Sequence, residues 1–191
     1  RRAVRERQNI LIAGATSSGK TTLANALLAE IAATGDRVLV LEDTIELQCA
    51  ARDHVPLRTR AGVVSMTELV RATMRLRPDR VIVGEVRGGE ALDLVKVWGT
   101  GHPGGIATIH AGSALGALLR LEQLILEVAV NPPRALIAEA VNVVIHIAGR
   151  GRKRRVESIA RVVGFDGTGY RLADALETPF PELMPDRKST R

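Results

Sequence analysis

Lys20 and Thr21 close the run Gly14, Ala15, Thr16, Ser17, Ser18, Gly19, Lys20, Thr21, which fits G-x-x-x-x-G-K-[ST], and Thr22 follows directly. Glycines let a backbone wrap tightly with its N–H groups turned inward, and the helix that follows presents its positive end there. These nine residues therefore read as a cradle for a phosphate chain. Lys20 is placed to reach β- and γ-phosphates as a point charge, and the Thr21 hydroxyl to bind Mg²⁺. The context agrees: an apolar run at 10–13 reads as a buried parallel strand, and Leu23, Ala26, Leu27 and Ile31 recur at helical spacing. Strand, loop and helix in this order predict a P-loop that binds a nucleotide rather than an ordinary glycine turn.

Binding leaves the reaction open, and the next signal is Val81-Ile82-Val83-Gly84-Glu85, an apolar strand that delivers a carboxylate at its end. In open α/β sheets ligands sit beyond the carboxyl ends of the strands, so Glu85 faces the γ-phosphate side of the loop. A carboxylate there can orient a water for in-line attack and accept its proton. The common form of such a strand ends Asp-Glu, with the Asp holding Mg²⁺ through water. Here Gly84 stands in that place, which leaves metal support to Thr21, Glu85 and the carboxylates of Glu42, Asp43 and Glu46. His102 and His110 bracket a further apolar run at 106–109. An imidazole at His110 can sense a γ-phosphate or hold a catalytic carboxylate. Two histidines without a third clustered ligand make a poor zinc site.

These residues need elements to hold them. A charged lead-in at 1–8 reads as the end of a helix, Gly35-Asp36 as a turn, and 38–41 as the next buried strand, with a further strand at 55–59. Ser65 and Glu68 form a capping box for a helix expected over 65–77, with Met66, Leu69, Val70 and Met74 on one face and Pro78 ending it. Strands follow at 81–83 and 106–109, with a helix from Gly88-Gly89 through Trp98 between them. Ser113 caps a helix expected to about Val130, and another spans 134–140. Segments 141–148 and 156–163 alternate like a hairpin around the basic turn at 149–155, and 165–172 reads as a short final strand pair. The whole predicts an α/β fold, a mostly parallel sheet with helices on both faces and a C-terminal β-hairpin. The organisation expected is a linker end at 1–8, the nucleotide domain at 9–176 and a loose Pro-rich tail at 177–191.

The phosphate loop, Glu42-Asp43-Thr44-Ile45-Glu46, Arg77-Pro78-Asp79-Arg80 leading into Gly84-Glu85-Val86-Arg87-Gly88, and the histidine-bearing segment 101–111 together resemble the secretion traffic ATPases. These are the hexameric, RecA-like motors of type II and type IV secretion and of type IV pili. The resemblance covers roughly residues 9–163. It implies ATP–Mg²⁺ bound by Lys20 and Thr21, Glu85 as the catalytic carboxylate, Glu46 arranging metal or water, and His110 coupling the γ-phosphate to domain movement. It assigns Arg87 to steadying the Glu85 loop or a phosphate oxygen. It further implies a homo-oligomer, inner-membrane secretion-system partners, and a cytoplasmic location with peripheral contact at the inner membrane. Two departures matter. Such motors carry an N-terminal domain that covers the nucleotide and supplies arginines, so this chain reads as a fragment of a longer parent. The four-cysteine module of many type II relatives is also missing, which favours the type IV, conjugative branch.

Composition narrows the rest. The chain has 191 residues with 2% aromatics, so its core is built from Leu, Val, Ile and Ala. One cysteine, Cys49, excludes an internal disulfide and a four-cysteine zinc module. A GTPase needs an Asn-Lys-x-Asp reader, and none of Asn9, Asn25, Asn131 or Asn142 starts one. The net charge of +6 leaves a nucleic-acid translocase or helicase as the second reading, with the basic turn its best support. No aromatics are interleaved with the basic residues, so there is no single-strand stacking platform, and the nucleic-acid reading is the less favoured. Arg60, Arg71, Arg75, Arg77 and Arg80 are the candidates for action across a subunit boundary, each equally readable as a solvated or core-anchoring charge.

Overall fold

Short, largely apolar runs, such as those at 10–13, 38–41 and 81–83, form strands buried on both faces. The computed structural model describes residues 1–175 and shows this pattern directly. Strand β1 (Ile10–Gly14), β2 (Val38–Glu42), β4 (Arg80–Val86) and β5 (Ile106–Ile109) lie in the interior of one eight-stranded sheet. With β3 (His54–Arg58), β6 (Val143–Ala148), β7 (Arg155–Phe165) and β8 (Tyr170–Asp174) the order is β3-β2-β4-β5-β1-β6-β7-β8. Pairing is parallel from β3 across to β6, then antiparallel through β7 and β8. The hairpin read from the sequence is therefore the junction between the two regimes: β6 is itself a parallel neighbour of β1.

Two apolar layers sandwich the sheet, and period-two alternation assigns the strand residues between them. On one face Leu11, Leu39, Leu41, Val81, Val83 and Ala107 pack against α3 (Met66–Thr73), α4 (Glu90–Gly99), α5 (Ala114–Ile125) and α6 (Arg134–Ala140). On the other, Ile10, Ile12, Val38, Val40, Ile82 and Ile145 meet α1 (Arg2–Arg5) and α2 (Lys20–Ile31), together with Leu47 and Ala51. None of the described helices is long and apolar enough to cross a membrane.

Two buried polar side chains tie the amino edge of the sheet together. Asn9 accepts the Gly105 N–H through Oδ1 at 2.9 Å and donates from Nδ2 to the Ala140 carbonyl at 2.7 Å. Arg80, 1% exposed, donates from Nε to Asp36 at 2.6 Å and from Nη1 to the Gly104 carbonyl at 3.2 Å. Buried polar groups persist where their hydrogen bonds are met, and here each also joins elements far apart in sequence.

Several boundaries differ from the sequence reading. The capping box forms, with the Ser65 hydroxyl accepting the Glu68 N–H, but α3 stops at Thr73. Arg77 sits in the left-handed region at φ 51°, and Met74 is exposed while Thr73 is buried, its hydroxyl satisfied by the Val70 carbonyl at 2.6 Å. Helix α5 ends at Ile125 instead of near Val130, because its last bonds tighten to three-residue closures (Glu127 to Leu124, Val128 to Ile125) before the β-branched Val128 and Val130 turn outward. The final strand pair at 165–172 is the unbroken end of β7 turning into β8. The Asp166 carboxylate accepts the N–H groups of Thr168 and Gly169 to make that turn. The tail expected at 177–191 lies outside the described residues.

Candidate active site at the carboxyl edge of the sheet

Every strand from β1 to β6 points the same way, so their carboxyl ends and the loops that leave them share one edge. There the loop after β1 meets the ends of β2, β4 and β5 around a cleft of about 330 Å³. Gly14 is the last residue of β1, and a Cβ on it would lie 2.4 Å from Ser18 Oγ and 2.7 Å from the Ile147 carbonyl, so only glycine fits. Gly19 takes φ 102° and caps α2, the second place where a side chain would strain the loop. The loop returns on itself through the Ser18 N–H donated to the Ala15 carbonyl. Thr16, Ser17, Lys20 and Thr21 line the cleft. Ser18 is buried beneath it, and Thr22 is exposed outside it on the first turn of α2.

Lys20 is 8% exposed and donates from Nζ to the Gly14 and Ala15 carbonyls at 3.0 and 3.2 Å. Burial lowers its pKa; the charges of Glu85 and Glu46 pull it back part of the way, and Arg87 opposes them. Thr21 donates its hydroxyl to Glu46 at 2.9 Å.

Glu85, near the end of β4, has both carboxylate oxygens engaged: Arg87 holds one, and His110 Nε2 lies 2.5 Å from the other. Arg87 also approaches Asp43 at 3.6 Å, and Thr59 donates to Asp43 at 2.6 Å. Glu85, Arg87, His110 and Glu46, separated by up to 64 positions (110 − 46), thus line one cleft with Lys20 and Thr21. His102 does not join them. It precedes β5 and so lies toward the opposite edge.

Glu42 carries a role the sequence reading did not give it. It ends β2 as the only charged residue of that strand, and is 5% exposed. One of its oxygens accepts the N–H groups of both Glu46 and Leu47, at 2.9 and 2.8 Å, which fixes the loop that carries Glu46. Its side chain also accounts for Gly84: a Cβ there would lie 3.1 Å from Glu42 Cγ. An Asp at that place on β4 would press against the side chain that ends β2. The legible signal was the one that exposed Glu85, an acidic residue ending an apolar strand. Thr108 adds a hydroxyl donated to the Gly84 carbonyl at 2.7 Å.

Oxygen donors predominate around the cleft, as a hard divalent cation requires. Among the described residues no group of three or more His, Cys, Asp or Glu could hold a metal ion alone. Thr21 and the neighbouring carboxylates are donors of the type that Mg²⁺ takes.

Comparison with known proteins is specific. The family described as "Type II/IV secretion system protein" matches residues 1–160. The conjugal transfer protein TrbB of Rhizobium radiobacter is 52% identical over 172 residues, covering 89% of this chain and 53% of that protein. The type IV secretion system protein PtlH of Bordetella pertussis is 41% identical over 175 residues, covering 83% of this chain and 51% of its own length. The crystal structure of the VirB11 ATPase from the Brucella suis type IV secretion system superposes with a TM-score of 0.75 at 34% identity, over 84% of this chain and 51% of that one. The chain spans about half the length of the curated relatives it matches.

Proposed function

The chain belongs to the type II/IV secretion system protein family, and from that premise we propose that it is the nucleotide-hydrolysing part of an ATP-driven motor subunit in a conjugative type IV secretion system. The observation that carries the proposal is the pairing of Glu85 with Arg87 and His110 on the wall of the cleft that Lys20 and Thr21 also line. Residues 14–22 cradle the phosphates of ATP, and Lys20 neutralises charge at the β/γ end. Thr21 and a carboxylate, Glu85 or Glu46, would hold Mg²⁺, which would supply charge neutralisation at the phosphate oxygens. Glu85 orients the attacking water and accepts its proton; Arg87 and His110 hold the carboxylate in place. Glu46, fixed by Glu42, positions water or metal beside Thr21. His110, bonded to Glu85 and exposed on its other side, reports the state of the γ-phosphate to neighbouring segments. The full-length protein works as a homo-oligomer, a hexamer by analogy with its family, on the cytoplasmic side of the inner membrane against membrane-bound secretion components.

The test is phosphate release from ATP with and without Mg²⁺, in the unaltered protein and in Lys20→Ala and Glu85→Gln. Hydrolysis that needs Mg²⁺ and is lost in both variants supports the reading; metal-independent hydrolysis or an active Glu85→Gln protein overturns it. The exposed basic turn between β6 and β7 keeps one rival, a nucleic-acid translocase. Stimulation by single-stranded DNA that persists at moderate salt would favour that rival.

A further inference from the structure

The proposed reaction leaves one charged motif unused, the turn at 149–155. Gly149 begins it at φ 84°, where a Cβ would lie 2.1 Å from the Lys153 carbonyl, and Gly151–Lys153 form a single tight turn. The chain therefore doubles back sharply as it leaves β6. Because β6 is the parallel neighbour of β1, with Gly14 in register with Ile147, the doubled-back segment lands on the phosphate loop. The Arg154 side chain lies against it: its Cδ is 3.5 Å from the position a Cβ would take on Gly19. Among the described residues Arg154 has no carboxylate partner, whereas the next residue, Arg155, pairs with Glu157 at 2.7 Å. An exposed guanidinium held beside a loop of inward N–H groups has an anion as its natural complement.

Strand order says which end of the nucleotide it meets. Glu85 on β4 and His110 after β5 stand on one side of β1, and Arg154 on the other. A nucleotide laid across the loop with its γ-phosphate toward Glu85 extends its α-phosphate end toward β6. We infer that Arg154 is a nucleotide-binding residue acting within its own subunit, its guanidinium engaging the α-phosphate end of a nucleoside di- or triphosphate. The inference rests on the proposed function and gives the basic turn a nucleotide to hold instead of a nucleic acid.

Calorimetric titration of the 191-residue chain with ADP and with Mg-ATP tests it. Arg154→Ala should weaken both nucleotides alike, by about tenfold, since the contact lies on the part they share. Arg154→Lys, which keeps the charge, should recover part of the affinity. Arg152→Ala, in the same turn but not against Gly19, should stay within about twofold. Arg154→Ala with unchanged affinity overturns the inference, and so does Arg152→Ala with an equal loss, which would mean a diffuse field. If Lys20→Ala loses ADP while Arg154→Ala keeps it, the inference fails and the proposed function stands. If the unaltered chain binds no ADP, both fail.

Discussion

Within the proposed reaction Glu85 carries the largest single demand, because it alone exchanges a proton with the attacking water. Replacing it with Gln preserves the contacts to Arg87 and His110 in shape but removes the basic oxygen. Hydrolysis should fall by roughly 10²-fold or more while ATP affinity stays within a few-fold, read by phosphate release beside equilibrium binding. If turnover is unchanged, the base lies elsewhere, and Glu46 is the next carboxylate to replace. Lys20→Ala separates differently: it removes a cation whose burial lowers its pKa and which lines the cleft. Binding of ATP and ADP should drop below detection while the melting temperature holds, since Ala suits the first turn of a helix. The residue types of the loop and of Glu85 were readable because their chemistry demands a fixed local spacing. The clamp by Glu42 was not, because its partners are backbone N–H groups that only a folded loop brings to it.

At the scale of elements, the amino edge of the sheet depends on Arg80 and Asp36. Burial by itself would raise the Asp36 pKa; hydrogen bonds from Arg80 and Thr34 and the charges of Arg80 and Arg7 outweigh it, holding the carboxyl below its usual range. A carboxylate with a depressed folded pKa contributes its full stability above the unfolded value and loses it as pH falls through the folded one. Asp36→Asn leaves a buried guanidinium without its counter-charge, so it should cost about 3 kcal/mol at neutral pH in urea unfolding. That deficit should shrink as the pH drops below the ordinary carboxylate range. Asn9→Leu makes a similar argument for hydrogen bonds: it strands the Gly105 N–H and the Ala140 carbonyl, for a loss of roughly 2–4 kcal/mol. A stability change under 1 kcal/mol in the same unfolding assay would show that water replaces the side chain. These anchors also sort the arginines. Arg80 is a core anchor and Arg71 pairs with Asp93 at 3.1 Å, which leaves Arg75, Arg77 and Arg60, all exposed and the last in the loop before α3, freer to act on another subunit.

For the molecule as a whole, the cleft is open to solvent and Arg87, its lining arginine among the described residues, is committed to Glu85 and Asp43. Phosphoryl-transfer sites of this kind gain most of their rate when a further arginine arrives from another domain or subunit. Turnover per subunit should therefore rise with protein concentration as the oligomer forms, and Arg60→Ala should flatten that rise without changing ADP affinity. Sedimentation across a dilution series, run beside phosphate release, checks both. Constant specific activity from monomer to oligomer would place the whole catalytic set in one subunit.

What the sequence determined by itself is the local and the periodic: the loop motif, the buried strands, the capping box, and the carboxylate ending β4. Each follows from spacing within a few residues, where backbone geometry leaves few alternatives. The order of the strands was not written there, and that order decides the rest. It set β6 on one side of the phosphate loop's strand and β5 on the other, brought Arg154 against Gly19, and stood Glu42 beside Gly84. Helix ends moved too: α3 stops at the buried Thr73, and Val130 stands exposed beyond the end of α5. Contacts between distant segments depend on side-chain volumes and hydrogen bonds summed over the whole core, and no short window of residues contains that sum.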